Sequence, residues 1–131
     1  MALTIAAATT QAMGTALATN IGASSVLEIR SGAKPATPET AASGTLLVSI
    51  TIAGSWTSTG GDLTAADPGS VAPTAAGTAG HWRLKKSGGT AVIDGTATAT
   101  GGGGDMQLGS TTITMGVNVD LGVPTISVPR A

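Results

Sequence analysis

From residue 45 to residue 52 the chain reads Thr-Leu-Leu-Val-Ser-Ile-Thr-Ile, with Leu46, Val48, Ile50 and Ile52 at every second position. Successive side chains of an extended strand point to opposite faces, so a period of two sends these four to one side. Leu47, Ser49 and Thr51 go to the other. Residues 26–30 repeat the pattern, with Leu27 and Ile29 opposing Glu28 and Arg30. Each run therefore has one face to bury and one to wet. The connection between them, residues 31–44, is turn-rich and carries Pro35 and Pro38.

The same period recurs downstream. Residues 80–86 place Trp82 and Leu84 inward and His81, Arg83 and Lys85 outward. Ser87-Gly88-Gly89 turns the chain and residues 90–94 answer it, the clearest hairpin in the sequence. Ile113, Met115, Val117, Val119 and Leu121 all fall on odd positions, which predicts one inward face, with Gly116 as a bend that splits the run into two strands. Pro124 breaks the pattern before Ile126 and Val128, a closing strand. Residues 53–79 read as a long irregular region with short strand pieces near Trp56 and Leu63. Residues 97–105, with four consecutive glycines, read as a flexible loop.

One segment follows another period. Ile5, Ala8, Ala12, Met13, Ala16 and Leu17 recur near helical spacing, with Thr4 as an N-cap and Asn20 or Gly22 as the stop. Gly14 in its middle costs about 1 kcal/mol relative to Ala. A short helix of this kind is stable only when packed. It covers an end or face of its own sheet, or it is an arm that docks on a neighbouring subunit. The expected fold is all-β, an antiparallel β-sandwich or jelly roll of about seven to eight strands with a short N-terminal helix. Residues 1–22 form the helix or arm, and residues 23–131 a single β-sandwich domain.

Composition narrows the function. Charged residues make up 10% of the 131 positions, and the six Lys and Arg are scattered. A nucleic-acid partner needs a clustered basic face, so none is expected. Arg83, Lys85 and Lys86 form the densest basic patch and read as a solvated strand edge. No run approaches the roughly 18 apolar residues of a membrane span. Ala16-Leu17-Ala18 mimics a signal-peptide cleavage site, but the first basic residue is Arg30, so the charged leader is missing. Cysteine is absent, which excludes disulfides and thiolate metal sites.

The residues offer little chemistry. His81, the only histidine, falls on an outward face with Arg83 and reads as a surface or interface residue. No Gly-x-Ser-x-Gly turn presents a nucleophile. Asp62, Asp67, Asp94, Asp105 and Asp120 are dispersed and mostly in turns. The glycine run ends in Asp105-Met106 where a phosphate-binding loop needs Lys then Ser or Thr, and it is a single copy where calcium-binding nonapeptides need stacked repeats. Catalytic, cofactor-binding and metal-binding residues are therefore all expected to be none. The apolar set is thin and the formal net charge is only -1, which predicts a homo-oligomer or a chain stabilised on a scaffold.

The layout of residues 27–36 (Leu-Glu-Ile-Arg-Ser-Gly-Ala-Lys-Pro-Ala), Gly44-Thr45-Leu46-Leu47, Gly80-His81-Trp82-Arg83-Leu84, Asp94-Gly95-Thr96 and the alternating ending resembles small structural proteins of tailed-bacteriophage virions. The likeness spans residues 2–129. It implies a virion part, a capsid decoration (cement) protein that binds the major capsid protein and bridges subunits. It implies no enzyme activity and no cofactor. The contact residues expected on this reading are Met13 and Leu17 on the helix, with Lys34, Pro35, Trp56 and Pro73 on loops. Trp56 also reads as a buried core residue. A tail, neck or fibre-associated module and a carbohydrate- or receptor-binding module are the alternatives.

Overall fold

The computed structural model describes residues 3–127. One helix, α1 (Ala7–Ile21), precedes the strands β1 (Ser25–Arg30), β2 (Leu46–Ile52), β3 (Thr57–Thr59), β4 (Asp62–Thr64), β5 (Ser70–Val71), β6 (Gly77–Thr78), β7 (His81–Lys85), β8 (Ala91–Ala99), β9 (Met106–Leu108), β10 (Thr112–Ile113), β11 (Val119–Asp120) and β12 (Thr125–Ser127). The protein is thus mostly β with one short N-terminal helix. Among the described residues, twelve strands replace the expected seven or eight, because residues 53–79 hold four short ones and the ending is cut into pieces.

The principal sheet has the order β2-β1-β7-β8-β9. Its first four strands pair antiparallel, with Leu27 opposite both Ile50 and Leu84, and Ile29 opposite both Val48 and Trp82. That register lines up the apolar positions of three strands on one face. Val48, Ile50 and Ile52 are buried there as the alternation predicts, together with Leu27, Ile29 and Leu84. Each contributes about 1.5–3 kcal/mol on burial. Ala18 and Ile21 of α1, Trp56, Leu63, Leu108 and Ile113 complete one continuous core. The hairpin at residues 86–90 closes as expected, with Gly89 N–H donating to the Lys86 carbonyl at 2.9 Å.

Three small sheets surround it: β10-β6, β11-β5 and β12-β4-β3. The β3–β4 hairpin turns on Gly60 and Gly61, whose φ values of 62° and 92° are those a two-residue turn of this hand requires. β9 departs from the all-antiparallel expectation and pairs parallel with β8, Ala97 facing Met106. The tetraglycine segment makes that return compact. A Cβ at Gly102 or at Gly104 would lie 2.8 Å from the Thr98 side chain. Thr98 Oγ1 in turn accepts from the Gly104 N–H at 3.0 Å.

Four expectations are corrected. The buried stripe of α1 is Thr10, Gly14, Ala18 and Ile21, not the Ala12–Met13–Ala16 face. The helix rests on the β3–β4 hairpin, where small residues allow close approach. Its N-cap is Ala6, not Thr4, with no side-chain cap; Gly22 ends it as expected. Next, the odd-numbered run does not share one inward face: Ile113 is buried, but Met115 and Val117 are 56% and 61% exposed. A turn at residues 114–117, with Gly116 at φ 87°, separates β10 from β11 and points these two away from the core. Last, β7 is a central strand, so Arg83 and Lys85 do not mark a solvated edge. The expected closing strand is present as β12, while Val128 lies outside the described residues.

Candidate functional site

The outward face of the principal sheet carries a row of paired charges. Register places Glu28 opposite Arg83, and Arg83 opposite Asp94, in one row across β1, β7 and β8. Arg83 Nε and Nη2 donate to the two Asp94 carboxylate oxygens at 2.7 and 2.8 Å, a bidentate fork. Arg83 Nη2 also donates to the Thr40 carbonyl at 2.7 Å, so the 31–44 connection lies over this row. Glu28 accepts from Arg30 Nε at 3.0 Å and from Lys85 Nζ at 2.9 Å. These groups were expected to be wet, yet the Arg83 and Asp94 side chains are 7% and 2% exposed.

The electrostatics follow from that geometry. Burial by itself would raise the Glu28 carboxyl, but hydrogen bonds from Lys85 and Arg30, with their charges, outweigh it and hold it below its ordinary value of 4.5. The fork from Asp94 raises the Arg83 guanidinium against the opposing pull of burial. Asp105 is held below its ordinary 3.8 by the backbone N–H and the hydroxyl of Thr96, both bonded to Oδ2. Every charge in the row has a partner. The arrangement locks the connection onto the sheet and presents no reactive group.

His81 is also displaced from its expected surface position. It is fully buried, and Nδ1 lies 3.2 Å from the Gly32 carbonyl. The 31–44 connection covers it, as it covers Arg83. No group of three or more His, Cys, Asp or Glu able to hold a metal occurs among the described residues. No helix there is long and apolar enough to cross a membrane.

The six expected contact residues do not share one surface. Pro35 and Pro73 are buried. Trp56 is buried too, 6% exposed, with Nε1–H donating to Ser25 Oγ at 3.0 Å, which bears out its core reading. Lys34 is exposed and donates to the Pro35 carbonyl at 3.1 Å. Met13 is 40% exposed and Leu17 half-buried; both border a concavity of about 700 Å³ with Trp82, Ile93, Asp105 and Ile126. Trp56 instead borders an adjoining concavity of about 350 Å³, which shares Trp82, Asp105 and Ile126 with the first. Loop position alone suggested exposure, but a Trp in a chain this poor in large side chains is drawn into the core.

Surface features outside those six are more prominent. Among the described residues, Met115, Val117 and Val123 account for three of the five exposed large hydrophobics, and all fall within residues 115–123. Gly116 between the first two was the available signal, since a left-handed glycine ends a strand's alternation. No protein-family model, curated protein or solved structure matches this chain.

Proposed function

We propose that this chain is a virion structural protein, a capsid decoration (cement) protein built as an antiparallel β-sandwich of the jelly-roll kind. It binds the major capsid shell and bridges its subunits, acting by mechanical joining without turnover or cofactor. The observation that carries the reading is the exposure of Met115 (56%) and Val117 (61%) at the turn between β10 and β11, with Val123 (59%) further along the chain. Apolar side chains left in water offer a contact site, because their burial against a neighbour recovers the hydrophobic free energy that water withholds. The resemblance over residues 2–129 supports the same assignment.

The test is to produce the protein together with its cognate virion proteins and count copies per purified particle by quantitative mass spectrometry. Hundreds of copies support shell decoration. A few or dozens move the protein to the tail or neck. Absence from the particle overturns the virion reading.

A further inference from the structure

We propose that the cleft between β9 and β12 binds an extended polypeptide segment of alternating apolar and basic residues, which adds as a strand between the two sheets. Three observations lead there, and none depends on the virion reading. The first is that two strand edges bound the cleft. β9 ends the principal sheet, and β12 ends the sheet β12-β4-β3. Each keeps a row of backbone N–H and C=O groups turned away from its neighbour, a template for a further strand. Among the described residues no backbone hydrogen bond joins β9 to β12. Both edges nevertheless border one space: residues 105–109 line the 350 Å³ concavity without a break, and so do residues 123–126. Successive side chains of a strand point to opposite faces, so a hollow against one face would touch alternate residues only. An unbroken run places the hollow along the side of the strand.

The second observation is the floor. Trp56, Trp82 and Leu84 line the concavity between the two edges. The adjoining 700 Å³ concavity shares Trp82, Asp105, Thr125 and Ile126 with it, so the cleft continues toward Met13 and Leu17 of α1. In strand addition the main chain supplies affinity, and contacts to alternate side chains supply specificity. Every second residue of the ligand is therefore apolar. The third observation is charge. Asp105 and Asp120, both exposed, line the cleft, and no Lys or Arg lines either concavity. The bonds from Thr96 hold the Asp105 carboxyl below its ordinary value, so it is an anion near neutrality. The ligand residues directed away from the floor are accordingly basic. A compact apolar molecule would use the floor and neither edge, whereas a strand uses all three.

The probe is the blocked hexapeptide acetyl-Val-Lys-Val-Lys-Val-Lys-amide, about 20 Å long when extended. One control replaces each Lys by Glu. The other is N-methylated at its three lysines, which keeps every side chain but removes the N–H groups along one edge. In a ¹⁵N-labelled sample the Lys peptide is expected to shift the amide signals of both β9 and β12 saturably and to slow their hydrogen exchange. It is expected to bind at least about tenfold more tightly than either control. Asp105→Asn with Asp120→Asn should bring the Lys and Glu peptides to equal affinity, with the N-methylated one still weaker than both. If that variant fails to fold, the ranking of the three peptides on the unaltered protein decides. No saturable shift, shifts on one strand only, equal binding of either control, or a charge preference that survives the double substitution would each overturn the proposal. So would slowed exchange of β9 and β12 as protein concentration rises without peptide, which would give the cleft to a second copy of this chain.

Discussion

Glu28 shows how one side chain carries information that neither exposure nor alternation conveys. It occupies the face opposite Leu27 and Ile29, yet two cations hold it in a nearly closed site. Its folded-state pKa lies below the ordinary 4.5, so its stabilising contribution is complete above that value and is lost as pH falls through the folded value. Urea midpoints should be steady near neutrality and decline once the pH drops under about 4.5. Asp105, shifted in the same direction, adds its own share to that decline. Glu28→Gln should flatten part of the acid slope while lowering stability near neutrality. An unchanged slope would show that the pairs are energetically idle. The Arg83–Asp94 fork is the stronger case. Asp94→Ala leaves a buried guanidinium uncompensated and should cost about 3–5 kcal/mol in urea denaturation, whereas an exposed pair would cost under about 1 kcal/mol.

At the scale of elements, the docking of α1 depends on missing side chains. Gly14 approaches Ser58 and lies so close to Gly61 that a Cβ would sit 3.0 Å from the Gly61 Cα. Gln11 fastens the same contact: its Nε2 donates to the Ser58 carbonyl at 3.1 Å and its Oε1 accepts from the Gly60 N–H. Gly14→Ala would gain about 1 kcal/mol of helix propensity if the helix stood alone. In the folded chain it should instead destabilise by about 1–3 kcal/mol through overpacking. Thermal denaturation of the variant decides, and a raised Tm would mean that the helix does not bear on the hairpin. The contact places α1 on the β3–β4 hairpin of its own chain.

For the whole molecule, the distinction is between side chains that hold the fold and those that remain for partners. Met115→Glu with Val117→Glu alters two exposed positions at a turn, so the Tm should stay within the change of about 0.5 kcal/mol typical of surface substitutions. Binding to the cognate shell, measured by co-sedimentation, should nevertheless be lost. Retained binding would place the contact elsewhere, and a collapse of stability would mean the turn is part of the core. The thin apolar set also makes a prediction for the isolated chain. Sedimentation should report a homo-oligomer, and a stable monomer at low concentration would count against stabilisation by neighbours.

The strands β1, β2 and β7 were legible without coordinates because local alternation determines them within a few residues, whereas β8 runs past the expected 90–94 to Ala99, into what read as the glycine-rich loop. The core face of those strands was legible for the same reason. Burial of the opposite face was not. It arises where the 31–44 connection folds back over Arg83 and His81, and a period of two carries no record of what a distant loop will cover. The helix phase escaped for a related reason: its buried stripe is chosen by the glycines and the serine of a hairpin some fifty residues on, and not by its own apolar residues. Local sequence thus determined the strands and their greasy side, while long-range packing alone decided which polar groups were sealed and which hydrophobic ones were left in water.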